Sequence, residues 1–328
     1  MRAVFEHSAI VATKWRILKL VRMTVLASGS RGNATVISAG GTTVLVDAGL
    51  SCREILKRMA QAGEDPAELD AILITHEHLD HVAGLSVLAR KLKVPVFFTE
   101  ATHRAWVRML TPQKKMTYAA WLEKIQRERE CAEREPTGGA EESVAIAAQV
   151  EVEVKASSTA LPALEFFRAG RSFRIGCLEI TPFTIPHDAA DPCGFVFSAC
   201  AESIRMAIAT DLGYVPPNVK QALKNVDVLL LESNHDLEML KDGPYPWSVK
   251  QRVLSRVGHL SNDAAAEFLL HDYDGGAHTI VLGHLSEQNN LPELARLAAE
   301  RAIGDRMSLL GNRVMLAAQD VPLESIRL

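Results

Sequence analysis

The stretch that most constrains this chain is Ala71-Ile-Leu-Ile-Thr-His76-Glu-His78-Leu-Asp80-His81. Its first residues are apolar or β-favouring and read as a buried strand, which then breaks into His-x-His-x-Asp-His. Three imidazoles and a carboxylate within six residues are ligands for borderline divalent metals. His76 and His78, two apart on an extended segment, can reach one ion from the same side. Asp80 and His81 lie on the next turn and can serve a second. A strand that ends in a ligand loop sets the ligands at its carboxyl edge on a rigid base. Two ions about 3.5–4 Å apart can share a water, lower its pKa and clamp both oxygens of an in-line displacement.

Composition narrows the setting. The chain has 328 residues, 48% hydrophobic and 23% charged, which is a globular composition with length for a large core. Five cysteines, an odd number without regular spacing, give neither a disulfide framework nor a Cys-based zinc site, and we read a reducing cytoplasm. No apolar run reaches the length of a membrane span. The net charge of −4 argues against a generally basic nucleic-acid binder, so any grip on a polyanion would need a local positive field.

Other short stretches join the histidine loop: Ser28-Gly-Ser-Arg-Gly-Asn33, Asp47-Ala-Gly-Leu-Ser-Cys52-Arg53, Pro186-His187-Asp188, Ala209-Thr-Asp211-Leu-Gly213, Glu232-Ser-Asn-His235-Asp236, Gly258-His259-Leu-Ser-Asn262 and Gly283-His284-Leu-Ser-Glu-Gln-Asn-Asn290. Together and in this order they resemble the metallo-β-lactamase fold hydrolases, and within them the YycJ/WalJ-like nuclease branch. The likeness runs over about residues 23–100 and 170–295. It implies an α/β, four-layer αββα sandwich. It also implies that His76, His78 and His187 hold one divalent ion, that Asp80, His81 and His284 hold another, and that Asp211 bridges the two. Histidine-rich sites suit Zn²⁺, and the carboxylates also admit Mn²⁺. In the family Asp47 braces the ligand loop, a role compatible with capping the helix that follows. Asp80 is counted with the catalytic groups. His259 matches a place where phosphodiesterases of the superfamily keep a histidine near the leaving oxygen, where an imidazole can donate a proton. Glu232 and His235 line the site, with their roles open.

The alternation along the chain fits that fold. Strands are expected from Met23, over Thr35–Ser38, Thr43–Val46, Val94–Thr99, Cys193–Ala199, Ile204–Ala209, Val226–Leu231 and Thr279–Leu282, with an alternating stretch at Arg171–Pro182. Helices are expected over Ser51–Ala62, Val82–Lys93, Asn262–Leu270 and Leu291–Ala302. Each candidate ligand falls at a strand's end. Residues 101–169 depart from the family and read as an insertion, with an exposed helix over Gln113–Glu135 and an alternating Val150–Val154. Residues 1–22 mix Lys and Arg with apolar residues. A signal peptide and a basic surface helix are two readings, and a natural start at Met23, with one domain over 23–328, is the third and the one adopted.

Ser28–Asn33 is a small polar loop whose two glycines let amides turn inward, to hold a phosphate or support the ligand loop. Ser28, Ser30, Asn33, Asn289 and Asn290 are the expected substrate contacts, with Arg31 and Arg53 near the cleft. His7, His103, His271 and His278 fit no motif and read as surface or packing residues. His78 stands where an iron-redox branch carries Glu, which argues against flavin-linked chemistry. The interval from Asp211 to His284 is too short for the domain that RNA-processing relatives insert there. The resemblance implies a metal-dependent 5′-3′ exonuclease acting on linear DNA, and this is the reading adopted; the alternatives are a small-molecule hydrolase of cyclic phosphodiesters or thioesters and a non-enzymatic metal-binding protein.

Overall fold

The computed structural model describes residues 21–111, 122–123, 125–127, 159–199, 201–304 and 313–328. Two seven-stranded sheets form its centre. The first has the order β14-β1-β2-β3-β4-β5-β6: β14 Ile326–Arg327, β1 Arg22–Ala27, β2 Ala34–Ala39, β3 Thr42–Val46, β4 Ala71–Leu73, β5 Val96–Phe98 and β6 Leu164–Phe166. The second has the order β13-β12-β11-β10-β9-β8-β7: β13 Arg313–Leu316, β12 Thr279–Gly283, β11 Val228–Glu232, β10 Ile204–Ala209, β9 Cys193–Ala199, β8 Leu178–Thr184 and β7 Phe173–Ile175. Each sheet is antiparallel on one side and parallel on the other, β3 to β6 in the first and β10 to β13 in the second. The parallel strands β3, β4, β11 and β12 are short apolar runs buried along their whole length, as strands covered on both faces must be.

Three apolar clusters correspond to the three interfaces of an αββα sandwich. Val25, Val44, Leu73, Phe195, Ile208 and Leu230 meet between the sheets. Helices α1 (Cys52–Gln61), α3 (Leu85–Leu92) and α4 (Glu100–Leu110) cover the first sheet through Ile55, Met59, Leu88 and Trp106. Helices α5 (Pro217–Ala222), α8 (Asn262–His271) and α9 (Pro292–Ile303) cover the second through Val219, Phe268 and Ala299. The connection after β11 adds α6 (Leu237–Asp242) and α7 (Trp247–Val253).

Three details differ from the expected elements. The helix expected over Val82–Lys93 is two, α2 (Leu79–Val82) and α3, divided at Ala83-Gly84. A Cβ at Gly84 would lie 2.0 Å from the Leu50 carbonyl, so close main-chain approach sets the break while the apolar spacing runs straight through it. Arg171–Pro182 is a hairpin, turned at Gly176 with φ 51°. Arg22, assigned to the extension before Met23, is already the first residue of β1, and Val21 is buried against the sheet core. Residues 1–20, and Val150–Val154 of the expected insertion, lie outside the described residues. Of Gln113–Glu135, Leu122, Glu123, Ile125, Gln126 and Arg127 are described and are helical. Among the described residues no helix is long and apolar enough to cross a membrane.

Candidate metal centre

All the site residues gather at one edge of the sandwich, where β3, β4, β8, β10, β11 and β12 end. Three of these endings take a left-handed backbone at a residue other than glycine: Asp47 (φ 61°), Asp211 (φ 62°) and His284 (φ 54°). That conformation costs an L-residue about 1–2 kcal/mol, least for Asp and Asn, and the surrounding sheet must supply it. It turns each side chain into the cleft directly after its strand.

The histidine loop rests on main chain. The Asn33 amide donates to the Asp80 carbonyl at 2.7 Å, the Ala48 amide to the His81 carbonyl at 2.8 Å, and the Gly84 amide to the Ala48 carbonyl at 2.9 Å. The approach is so close that a Cβ at Gly49 would lie 1.6 Å from the Asp80 carbonyl oxygen.

Behind the loop, buried Asp47 accepts the Thr75 amide at 2.9 Å, the Thr75 hydroxyl and the His81 Nδ1–H at 2.8 Å. Thr75 Oγ1 lies 3.0 Å from His76 Nδ1, so one hydroxyl links the carboxylate to a second ring. His187 donates its Nδ1–H to the Gly258 carbonyl at 3.2 Å. In the other half Glu232 Oε1 lies 2.8 Å from Nδ1 of both His259 and His284, while its Oε2 accepts the Leu212 and Leu260 amides at 2.8 and 3.1 Å. With Nδ1 engaged in this way, the Nε2 atoms of His76, His81, His187 and His284 are left to face the cleft.

Two sets of donors result. His76, His78 and His187 offer ligand atoms within 4.8 Å of one another, as do Asp80, His81, Asp211 and His284. His187 Nε2 lies 3.3 Å from His78 Nδ1. Two nitrogens on one tetrahedral zinc, at about 2.0–2.1 Å each, stand about that far apart. His76 Nε2, His284 Nε2 and Asp211 Oδ2 are buried without a hydrogen-bond partner. Three unsatisfied polar atoms in one cleft would be costly in a metal-free role, and divalent ions fit them. Asp211, Glu232, His259 and His284 are similarly close, but Glu232 already accepts four hydrogen bonds, so that grouping is a bonded brace rather than a third ligand set.

Charge follows the same division. Burial, joined by the neighbouring imidazoles and opposed by Asp211, holds His76 well below the usual imidazole range and lowers His187 as well. Burial also works against the charged form of His81 and His284, yet Asp211 with the other carboxylates outweighs it and raises both well above that range. Burial would raise Glu232, but the charge and hydrogen bond of His259, with the bond from His284, lower it to about 2. Burial lowers His235 to about 4, and neither of its ring nitrogens has a partner.

The expected substrate contacts divide. Ser28 Oγ accepts the His284 amide at 2.8 Å, and the Asn33 carboxamide lies 3.0 Å from His81 Nε2, so both support the ligands. Ser30, Arg31 and Arg53 are exposed, and Arg31 is paired with Glu287 and Asp320. Asn289 and Asn290 are 0% and 4% exposed. The Asn290 carboxamide donates to the Ser233 and Asn234 carbonyls, and that of Asn289 donates to Ser286 Oγ while its Oδ1 is buried without a partner, so both side chains are turned into the fold. His103 packs against Phe98, Trp106 and Phe166, and His278 bonds to Thr279. The Thr75 hydroxyl, the Gly258 carbonyl and Asp188, which ties His187 to Arg252, went unassigned in the sequence, because each acts through a partner remote in the chain or through main chain.

Residues 42–284 match the beta-lactamase superfamily domain family. The chain is 33% identical over 276 residues to the exodeoxyribonuclease WalJ of Streptococcus pneumoniae, covering 84% of this chain and 86% of that protein. It is 32% identical over 290 residues to the exodeoxyribonuclease YycJ of Bacillus anthracis, covering 87% and 90%. Among solved structures, the metallo-beta-lactamase fold protein YhfI from Bacillus subtilis superposes with a TM-score of 0.59 at 16% identity, over 92% of this chain and 98% of that one, a likeness of fold. The chain therefore belongs to the beta-lactamase superfamily and, within it, to the family of WalJ and YycJ.

Proposed function

We propose that this protein is a metal-dependent phosphodiesterase that hydrolyses DNA from an end, with 5′-3′ polarity, in the cytoplasm. The observation that carries the reading is the placement of His259. Its ring lies 5.2 Å from that of His187 and 5.1 Å from that of His284, beside both donor sets. Its Nδ1 is held by Glu232, which leaves Nε2 free to meet a departing oxygen and give it a proton. The kinship with two exodeoxyribonucleases supports DNA as the substrate. In this reading His76, His78 and His187 hold one ion, and Asp80, His81 and His284 hold the other, with Asp211 between them. Two such ions, Zn²⁺ or Mn²⁺, would lower the pKa of a shared water and offset charge on the phosphate. Asp47 and Glu232 fix the rings behind the ligands, and Ser28 and Asn33 hold His284 and His81 in register.

The test is a linear duplex labelled at each 5′ and 3′ end in turn, with Mn²⁺ or Zn²⁺ supplied. Early release of labelled mononucleotide from the 5′-labelled end, with closed circular DNA spared, is the expected result. Cutting of closed circles at a similar rate makes the protein an endonuclease. No cleavage of DNA, beside rapid hydrolysis of a small phosphodiester or thioester, moves the chemistry to a small-molecule substrate.

A further inference from the structure

A cavity of about 720 Å³ is lined by Arg104, Arg168, Arg171, Phe166 and Phe173. It lies on the same sheet edge as the histidine loop. β4, β5 and β6 are parallel neighbours, so the residues that follow β5 (Thr99 to Arg104) and β6 (Phe167 to Arg171) stand next to the loop that follows β4. Strands about 4.8 Å apart put the two walls of the cavity roughly 5 and 10 Å from the line of β4. The side facing the metal centre is the segment between β8 and β9 that carries His187. The Thr102 hydroxyl donates to the Asp191 carbonyl there at 3.3 Å, and the Ala190 amide donates to the Glu77 carboxylate, inside the histidine loop, at 2.9 Å.

The lining has two features that folding leaves unexplained. Arg104, Arg168 and Arg171 are exposed, and among the described residues their guanidinium groups have no hydrogen-bond or ion-pair partner. Two carboxylates, Glu100 and Asp191, share the cavity, so the guanidinium groups are in excess. Phe166 is 50% exposed and touches His103 edge-on, while Phe173 is stacked on Phe97 and Phe167. One aromatic surface is therefore free beside three forked cations. Guanidinium groups take phosphate oxygens two at a time, and an open phenyl ring takes the face of any base. The chain's net charge of −4 makes such a local excess the means by which it could hold a polyanion.

We propose that this cavity holds a nucleic-acid strand beyond the phosphate being cut, with Arg104, Arg168 and Arg171 on its backbone and a base against Phe166. The proposal rests on the reading of the protein as a nuclease and adds where the strand lies. At about 3.4 Å per stacked nucleotide, a reach of roughly 5–10 Å from the line of β4 is about one and a half to three nucleotides. The cavity thus engages only substrates longer than that, and its contribution grows with strand length until the cavity is filled.

The experiment compares the native chain with Arg168→Ala/Arg171→Ala and, separately, with Phe166→Ala. KM and kcat are measured on a dinucleotide and on single strands of increasing length, and binding of a fluorescent 12-nucleotide strand is followed by anisotropy in EDTA. The expected result is a KM raised about tenfold for strands of six or more nucleotides, with kcat and dinucleotide hydrolysis unchanged. The salt dependence of log K should become shallower by about 1.4 in the double variant, for two lost phosphate contacts on a single strand, and unchanged in Phe166→Ala. A KM that does not move, or that rises equally for dinucleotide and long strand, overturns the proposal, as does an unaltered salt slope. If the native chain cuts no DNA, the nuclease reading falls, and strand binding in EDTA still decides whether the cavity takes nucleic acid.

Discussion

At the end of β3, Asp47 accepts one imidazole, His81, together with the amide and hydroxyl of Thr75. At the end of β11, Glu232 accepts two imidazoles, His259 and His284, and two amides from segments that are distant in the chain. The two carboxylates stand behind the rings of the candidate donor sets in opposite halves of the sandwich, and their reach differs because the donors arrive differently. In the first half four donors follow one strand, and main-chain bonds to Asn33 and Ala48 place them. In the second, His187, Asp211 and His284 come from three separate strand ends, and a side chain has to draw rings together across the sheet. Local ligands need a light brace, and gathered ligands concentrate the demand on one residue.

The residue between the halves gives the strongest test. Asp211 is buried, with its carboxylate oxygens 3.4 Å from both His81 and His284. Asp211→Ala should leave almost no bound metal, since removing one member of a buried ion pair costs about 3–5 kcal/mol, or roughly 10²–10⁴-fold. His187→Ala should leave one metal per chain. Metal analysis that finds equal, near-full occupancy in both variants breaks the division into two sets.

Next come the braces. Glu232→Gln should lower turnover and metal affinity by about a hundredfold, and Asp47→Asn by about tenfold, the two ends of the range for residues that orient ligands. Thermal melting and metal titration of both variants read the difference. Equal losses would show that the number of rings held does not matter.

The smallest effect is reversible. A ligand nitrogen must shed its proton before it binds metal. His81 and His284 hold their protons more tightly than usual because of Asp211, while His76 and His187 have released theirs below the ordinary imidazole value. The sign is therefore fixed: as pH falls from 8 toward 6.5, the set with Asp80, His81 and His284 should lose affinity about tenfold per unit for each displaced proton, before the set with His76. Equilibrium dialysis across that range should show occupancy passing from two metals toward one. A single step that removes both would place the two sets in the same electrostatic setting.

The same contrast explains what could be read from the chain. His76, His78, Asp80 and His81 announce themselves because their spacing is local. His187, Asp211 and His284 follow ordinary-looking strands, and it is likeness to a family that marks them. The double duty of Glu232 is invisible in sequence, since it depends on β10, β11, β12 and the segment before α8 converging. Asn289 and Asn290 looked available to substrate because they follow a ligand in a polar run, yet the fold buries them as donors to main chain and to Ser286. The αββα layering was legible from the alternation of apolar periods. The division between α2 and α3 was not, because Gly84 responds to the carbonyl of Leu50 and helical spacing carries no trace of it.

The seat of the histidine loop has a consequence for how this centre can change. Amides of Asn33, Ala48 and Gly84 set its position, and those groups are common to almost every amino acid. Side chains around the cleft can therefore be exchanged, by drift or by design, while the donor atoms keep their coordinates. The exceptions are the two carboxylates that hold the rings, Asp47 and Glu232, and Gly49 and Gly84, where a single methyl group would collide with backbone and tilt the loop. A protein arranged in this way can acquire a new substrate without first giving up its set of metal-ligating donors.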